Sequence, residues 1–174
     1  IVRQERFPDF LRYHLLCASP KIRKQRLFKQ VRDSVREPQE VFDLMAALEA
    51  RAELFSALDD TEHEYWIERH AARPYIRELN LFKVRQMTPL LFAAWEMLSP
   101  DNFVRVLKLV STISFRYTVI CGLNTNELEP VYHKAAKALV TGVAMSPADV
   151  FDHLRPIYVP DDRFARAFAN KEID

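Results

Sequence analysis

An all-α fold is the prediction, and three observations carry it. Only two glycines occur among 174 residues, too few to furnish the β-turns and phosphate-cradling loops of sheet-based folds. Proline follows a hydroxyl residue at Ser19-Pro20, Thr88-Pro89, Ser99-Pro100 and Ser146-Pro147. That pairing opens helices, because the hydroxyl accepts from an orphan amide and proline has no amide to leave unsatisfied. Apolar residues recur at spacings of three and four along most of the chain, which gathers them on one helical face. The expected architecture is an orthogonal or antiparallel bundle of about eight helices joined by short loops.

The first helix is expected over 7–18, on an apolar pattern that includes Cys17. Ser19-Pro20 opens a basic helix over 20–35, and an acidic helix follows over 38–58. Thr61 and Glu64 have the spacing of a capping box, so a helix is expected over 62–86, kinked or broken in two at Pro74. Thr88-Pro89 opens 89–98 and Ser99-Pro100 opens 100–121. The latter is rich in β-branched residues, yet Phe103, Val106, Leu107, Val110, Ile113, Tyr117 and Ile120 keep the helical spacing, and a strand of that length would be unusual. Gly122 stops it in a left-handed cap, and Asn124 with Glu127 opens 125–141 as a variant capping box. Gly142 stops that helix, Ser146-Pro147 opens 147–155, and a weaker segment closes the chain over 161–170.

Composition fits a soluble globular chain, with 49% apolar and 28% charged residues. The length suits one domain with one core. No segment has the layout of a signal peptide or the length of a bilayer span, so no membrane partner is expected. Cys17 and Cys121 are too few for a disulfide framework and lie in helical patterns, the expectation for free thiols in a reducing compartment. The chain opens on Ile1 without a methionine and stops at Asp174, from which a fragment of a longer protein is expected.

Motif absences narrow the chemistry. GxGxxG and GxxxxGK[ST] cannot be written with these two glycines, HExxH is missing, and no carboxylate stands two residues before a lysine. His63 and His70 lie seven apart, too far for adjacent-turn metal ligands, so a solvated polar face is expected and no metal. Asp59, Asp60, Glu62 and Glu64 read as a solvated loop and helix start that complement the dipole.

Charge is uneven. Residues 1–36 hold 10 Lys/Arg against 3 Asp/Glu, a balance of +7, whereas residues 37–70 hold 2 against 10, a balance of −8. In the helix over 20–35, Leu27, Phe28, Val31 and Val35 form a narrow apolar stripe, with Arg23, Lys24, Arg26, Lys29 and Arg32 over the remaining surface. Such a face attracts phosphates by counterion release, so duplex DNA is one candidate partner; pairing with the acidic helix that follows, or solvation, is the bland alternative. Arg116 stands in a largely apolar run, where it must pair with a buried carboxylate or lift its head to the surface along its stem.

The stretch FRYTVICGLNTNELE, followed by Tyr132, resembles the helical part of the N-terminal domain of GmrSD-type, modification-dependent restriction endonucleases and their bacterial relatives. The residues that carry the resemblance are Arg116, Tyr117, Gly122, Asn124, Asn126, Glu127 and Glu129; FLRYHLL, KIRKQRLFKQV and DDRFARAF fit the family's order of segments. The resemblance implies a helical piece of a cytoplasmic bacterial phage-defence protein. In the family an α/β region with an Asp-Gly-Gln-Gln-Arg motif, linked to nucleotide hydrolysis, precedes these helices, and many members end in an HNH-type nuclease domain. Neither pattern is written here, so no catalytic residue carries over. The resemblance implies a nucleoside triphosphate with a divalent metal in the parent protein only, and this segment is expected to need no cofactor. The partners implied are duplex DNA and the missing domains, with a homo-oligomer also in view. The rival expectation is an interaction scaffold with an uncovered apolar patch such as Phe82, Leu91, Phe92 and Trp95.

Overall fold

The computed structural model describes residues 2–17 and 26–171. Among them are nine α-helices and no strand, so the all-α prediction holds. After a 3₁₀ turn at Gln4–Arg6 come α1 (Phe7–Leu16), α2 (Leu27–Ser34) and α3 (Pro38–Ala57). Two 3₁₀ turns, Glu64–Trp66 and His70–Ala72, lead into α4 (Arg73–Phe82), α5 (Thr88–Met97) and α6 (Pro100–Ser114). A π-helical stretch, Phe115–Ile120, and a 3₁₀ turn, Thr125–Glu127, connect α6 to α7 (Leu128–Val140). Finally come α8 (Pro147–Leu154), a 3₁₀ turn at Arg155–Ile157 and α9 (Asp161–Ala169). No helix among the described residues is long and apolar enough to cross a membrane.

The core is built around α5, whose residues Thr88 to Ala94 are all buried. It packs most extensively on α7 and also against α1, α3 and α6. Phe10 of α1, Phe55 of α3 and Phe92 of α5 meet with ring centroids 5.3 to 6.3 Å apart. Tilted and edge-on ring pairs of this kind are favoured beyond their area burial. Trp66 is fully buried, and its indole N–H donates to Ala57 O at 2.8 Å and Asp60 O at 3.1 Å. That bond locks the first 3₁₀ turn onto the end of α3 without exposing a polar atom.

The helix starts follow the predicted chemistry in two described places and depart from it in three. Ser99 accepts from Asn102 N, and Ser146 accepts from Asp149 N while Asp149 accepts from Ser146 N at 2.9 Å, a complete capping box. Ser19-Pro20 lies outside the described residues. Thr88 does not cap: it is the first residue of α5, buried, and its hydroxyl donates back to Arg85 O at 2.8 Å. The helix expected over 62–86 is shorter, because His63 rather than Thr61 caps the 3₁₀ turn, accepting from Tyr65 N. Pro74 sits in the first turn of α4, where a missing amide costs nothing. Asn124 does cap, its side-chain oxygen accepting from Asn126 N at 3.1 Å, but it opens the 3₁₀ turn ahead of α7 and makes no box with Glu127.

Gly122 and Gly142 both adopt left-handed backbone, φ 56° and 71°, as expected of helix stops. Lys83 does the same at the end of α4, φ 55°. The acidic turn is more structural than expected, and no helix begins at residue 62. Asp59 bridges Arg6 and Arg85, the latter at 3.0 Å, and Asp60 accepts from Glu62 N at 2.9 Å.

Candidate functional site

The residues that carry the family resemblance assemble into one chain reversal between α6 and α7. The π-helical stretch ends where Cys121 N donates five residues back, to Arg116 O at 3.1 Å. Gly122 then turns the chain, and Leu123 N closes the turn on Tyr117 O at 3.0 Å. Tyr117 is buried and its hydroxyl donates to Asn124 O at 3.1 Å, fixing the far side of the turn. Asn124 accepts from Asn126 N, a local mimic of a backbone turn. Glu127, exposed, stands at the entry to α7.

Two charged residues tie distant parts of the chain to this reversal. Arg116 has a side chain only 12% exposed; its Nε donates to Val159 O at 2.9 Å and its Nη2 to Asp161 Oδ1 at 2.5 Å. Its guanidinium also lies 4.8 Å from the ring centre of Tyr158 and 4.5 Å from that of Phe164. The partner carboxylate is 89% exposed, so of the two expected arrangements the head reaches a rim ion pair along its buried stem rather than a buried carboxylate. The cation is satisfied by one carbonyl, two aromatic faces and an ion pair at the rim. Glu129 accepts from Arg12 of α1 at 2.6 Å. The reversal therefore ties both α1 and α9 to residues 116–129, and within it the Thr118 hydroxyl is buried without a hydrogen-bond partner.

A second network joins three helices. Arg51 of α3 makes a forked pair with Glu96 of α5, both bonds 2.6 Å, and its Nη1 donates to His14 Nδ1 at 3.1 Å and His14 O at 3.3 Å. Cys17 is adjacent, its thiol donating to Pro89 O at 3.4 Å. Burial and then the neighbouring guanidinium push His14 down to about 4, so the imidazole is neutral near pH 7 and accepts from Arg51. Burial pushes the Cys17 thiol up to about 11, which withholds the reactive thiolate. A neutral, committed imidazole and a protonated thiol make a bracket, not a nucleophile–base pair.

Of the predicted cationic face, Arg23 and Lys24 lie outside the described residues. Arg26, Lys29 and Arg32 are exposed on or beside α2, and Arg32 pairs with Asp33 at 3.3 Å. Only one side of the predicted stripe meets the protein as expected: Leu27 is buried against Leu16 of α1, whereas Phe28 is 80% exposed. The two faces lie about 100° apart on a helix, so anchoring Leu27 turns Phe28 outward.

The first half of α3 was not singled out by the sequence pattern. None of its residues from 38 to 50 is buried, and Val41, Phe42 and Met45 are exposed. This is where an uncovered apolar surface lies; the alternative patch expected at Phe82, Leu91, Phe92 and Trp95 is corrected, because Leu91 and Phe92 are fully buried in the core and Phe82 and Trp95 half-buried against it. The signal in the sequence is the acidic run around these apolar residues, which a core helix would not carry.

His63 is committed to its 3₁₀ turn and His70 is exposed in the next one. Among the described residues no three His, Cys, Asp or Glu side chains cluster as a metal site would require. No protein-family model matches the chain, and neither a curated protein nor a solved structure is significantly similar to it.

Proposed function

We propose that the chain is a non-catalytic helical support within a larger bacterial defence protein of the restriction type, and that it works by docking other protein surface on the α2–α3 arm. The family assignment rests on the Arg116–Glu129 resemblance. The docking role rests on one observation: Phe28, Val41, Phe42 and Met45 stand in solvent on two successive helices, while Phe10, Phe55 and Phe92 of the body pack against one another. Apolar side chains concentrated on exposed elements mark a contact surface. The nucleoside triphosphate and divalent metal are assigned to the parent's other regions. Incubated with nucleoside triphosphates and magnesium, or with modified duplex DNA, the purified chain is expected to leave both intact. Turnover of either overturns the reading.

A second reading, contact of α2 with duplex DNA, is favoured by the exposure of Arg26, Lys29 and Arg32. It predicts an affinity that falls with salt, with a log–log slope of roughly −3 for three neutralised phosphates. Charge reversal at the three positions removes that binding if the reading is correct; a salt-independent affinity excludes it.

A further inference from the structure

We propose that the partner of the arm is a second copy of this chain, with Phe28 of each copy seated in a groove of the other. The inference rests on the docking reading above and names its occupant. The groove lies between the start of α1 and the face of α3, has a volume of about 580 Å³, and is floored by Phe7, Phe10, Met45 and Leu48. Its rim is acidic, formed by Glu49, Glu53 and Glu64. Val41, Met45, Leu48 and Ala52 follow one another at four, three and four residues, so they lie on one face of α3. That face is exposed at Val41 and Met45 and runs down into the groove. An occupant of this site must therefore offer an apolar anchor with cations beside it.

The same chain offers such an element. Phe28 projects from α2 with Lys29 next to it and Arg32 one turn further on the same face. Leu27, about 100° around the helix, is held against Leu16, so α2 is fixed to the body while Phe28 is free to enter another surface. At 80% exposure Phe28 does not fill the groove of its own chain. Charge complementarity also favours unlike surfaces: two α3 faces would set Glu49 and Glu53 against their equals, whereas α2 against α3 sets Lys29 and Arg32 against carboxylates. With Phe28 and this groove on each chain, a two-fold arrangement satisfies both at once and closes without further growth.

Sedimentation velocity from about 1 to about 200 μM, a range that brackets micromolar dissociation constants, tests the proposal. The wild-type chain is expected to pass from monomer to dimer. Phe28→Asp and Met45→Asp are each expected to weaken association at least tenfold, with unchanged far-ultraviolet circular dichroism because both side chains are exposed. Mixing the two variants provides the decisive measurement. One intact Phe28 then faces one intact groove, so the mixture is expected to form a heterodimer that neither variant forms alone. A wild-type chain that stays monomeric throughout overturns the proposal, as does a Phe28→Asp variant that dimerises normally or a mixture that shows no complementation. A monomer that binds duplex DNA with the salt dependence given above instead overturns the docking reading as well. A monomer without DNA affinity removes only the second copy as occupant.

Discussion

The helix α5 and the first half of α3 are both rich in apolar residues, yet they have opposite fates. From Thr88 to Ala94 every residue of α5 is buried, with α1, α3, α6 and α7 around it. From 38 to 50 no residue of α3 is buried, although Val41, Phe42, Leu44, Met45 and Leu48 fall in that span. What separates them is charge. Between 88 and 95 there is no charged residue, whereas Glu40, Asp43 and Glu49 interrupt the apolar residues of α3 on several sides. Carboxylates that would lose their hydration keep the helix at the surface, and its apolar side chains stay available to a partner that leaves those carboxylates wet or paired.

Paired substitutions break this comparison most directly. Phe92→Ala is expected to lower the unfolding free energy by about 3–5 kcal/mol, because it opens a cavity between Phe10 and Phe55. Phe42→Ala, at 69% exposure, is expected to stay within about 0.5 kcal/mol. Urea titration measured at a concentration where the chain is monomeric reads both, and equal effects would erase the distinction between body and arm.

The same contrast holds within a single ion pair. Arg116→Ala removes a carbonyl bond and two ring contacts as well as the pair, for an expected loss of about 2–3 kcal/mol. Asp161→Asn touches only the exposed partner, and its expected cost is below about 0.5 kcal/mol. A larger effect for Asp161→Asn in urea titration would place the energy in the ion pair and not in the packing around it.

Acid acts on the body through His14. Its folded value near 4 lies below the ordinary 6.5, so the unfolded chain takes up the proton first. The contribution of the neutral imidazole is complete above pH 6.5 and is lost as the pH falls toward 4. The thermal midpoint is expected to drop over that window. In His14→Asn, where an amide oxygen can accept from Arg51 in place of Nδ1, the drop is expected to be shallower. An identical acid profile for the two proteins would remove His14 from the account.

Effects of opposite sign are expected at two left-handed positions. A Cβ at Gly122 meets nothing within 4 Å, so Gly122→Ala costs only backbone strain, about 1 kcal/mol. Lys83→Gly relieves the same strain at the end of α4 and is expected to stabilise by up to about 1 kcal/mol. Calorimetric midpoints moving in opposite directions for the two variants would verify both.

These elements also divide what a reader of the sequence can see from what only folding supplies. Ser99, Ser146, Gly122 and Gly142 act through bonds to their near neighbours, so their spacing alone announces helix ends. Lys83 carries no such sign, because lysine has no preference for the left-handed backbone it adopts there. The turns between 61 and 72 are set by the Trp66 indole reaching back to Ala57 and Asp60, a tertiary bond that overrides the Thr61–Glu64 pattern. Arg116 was recognisable as a residue needing a partner, but Val159 and Asp161, more than forty residues on, were not. On the arm, the cations of α2 were plain in the sequence. The exposure of α3 is not legible in apolar spacing, which surface and core helices share, and only the carboxylates set among those residues mark it.

The two ties at the α6–α7 reversal have a mechanical consequence. Arg12 is bonded to Glu129 and Arg116 to Asp161, so tension applied between α1 and α9 has a short route through residues 116–129. The arm hangs in the long loop that this route bypasses. In an optical trap with handles on α1 and α9, extension is expected to begin only when the reversal yields, with α2 and the exposed first half of α3 unloaded until then. Handles placed on α2 and α9 would load the arm from the outset and release it at lower force.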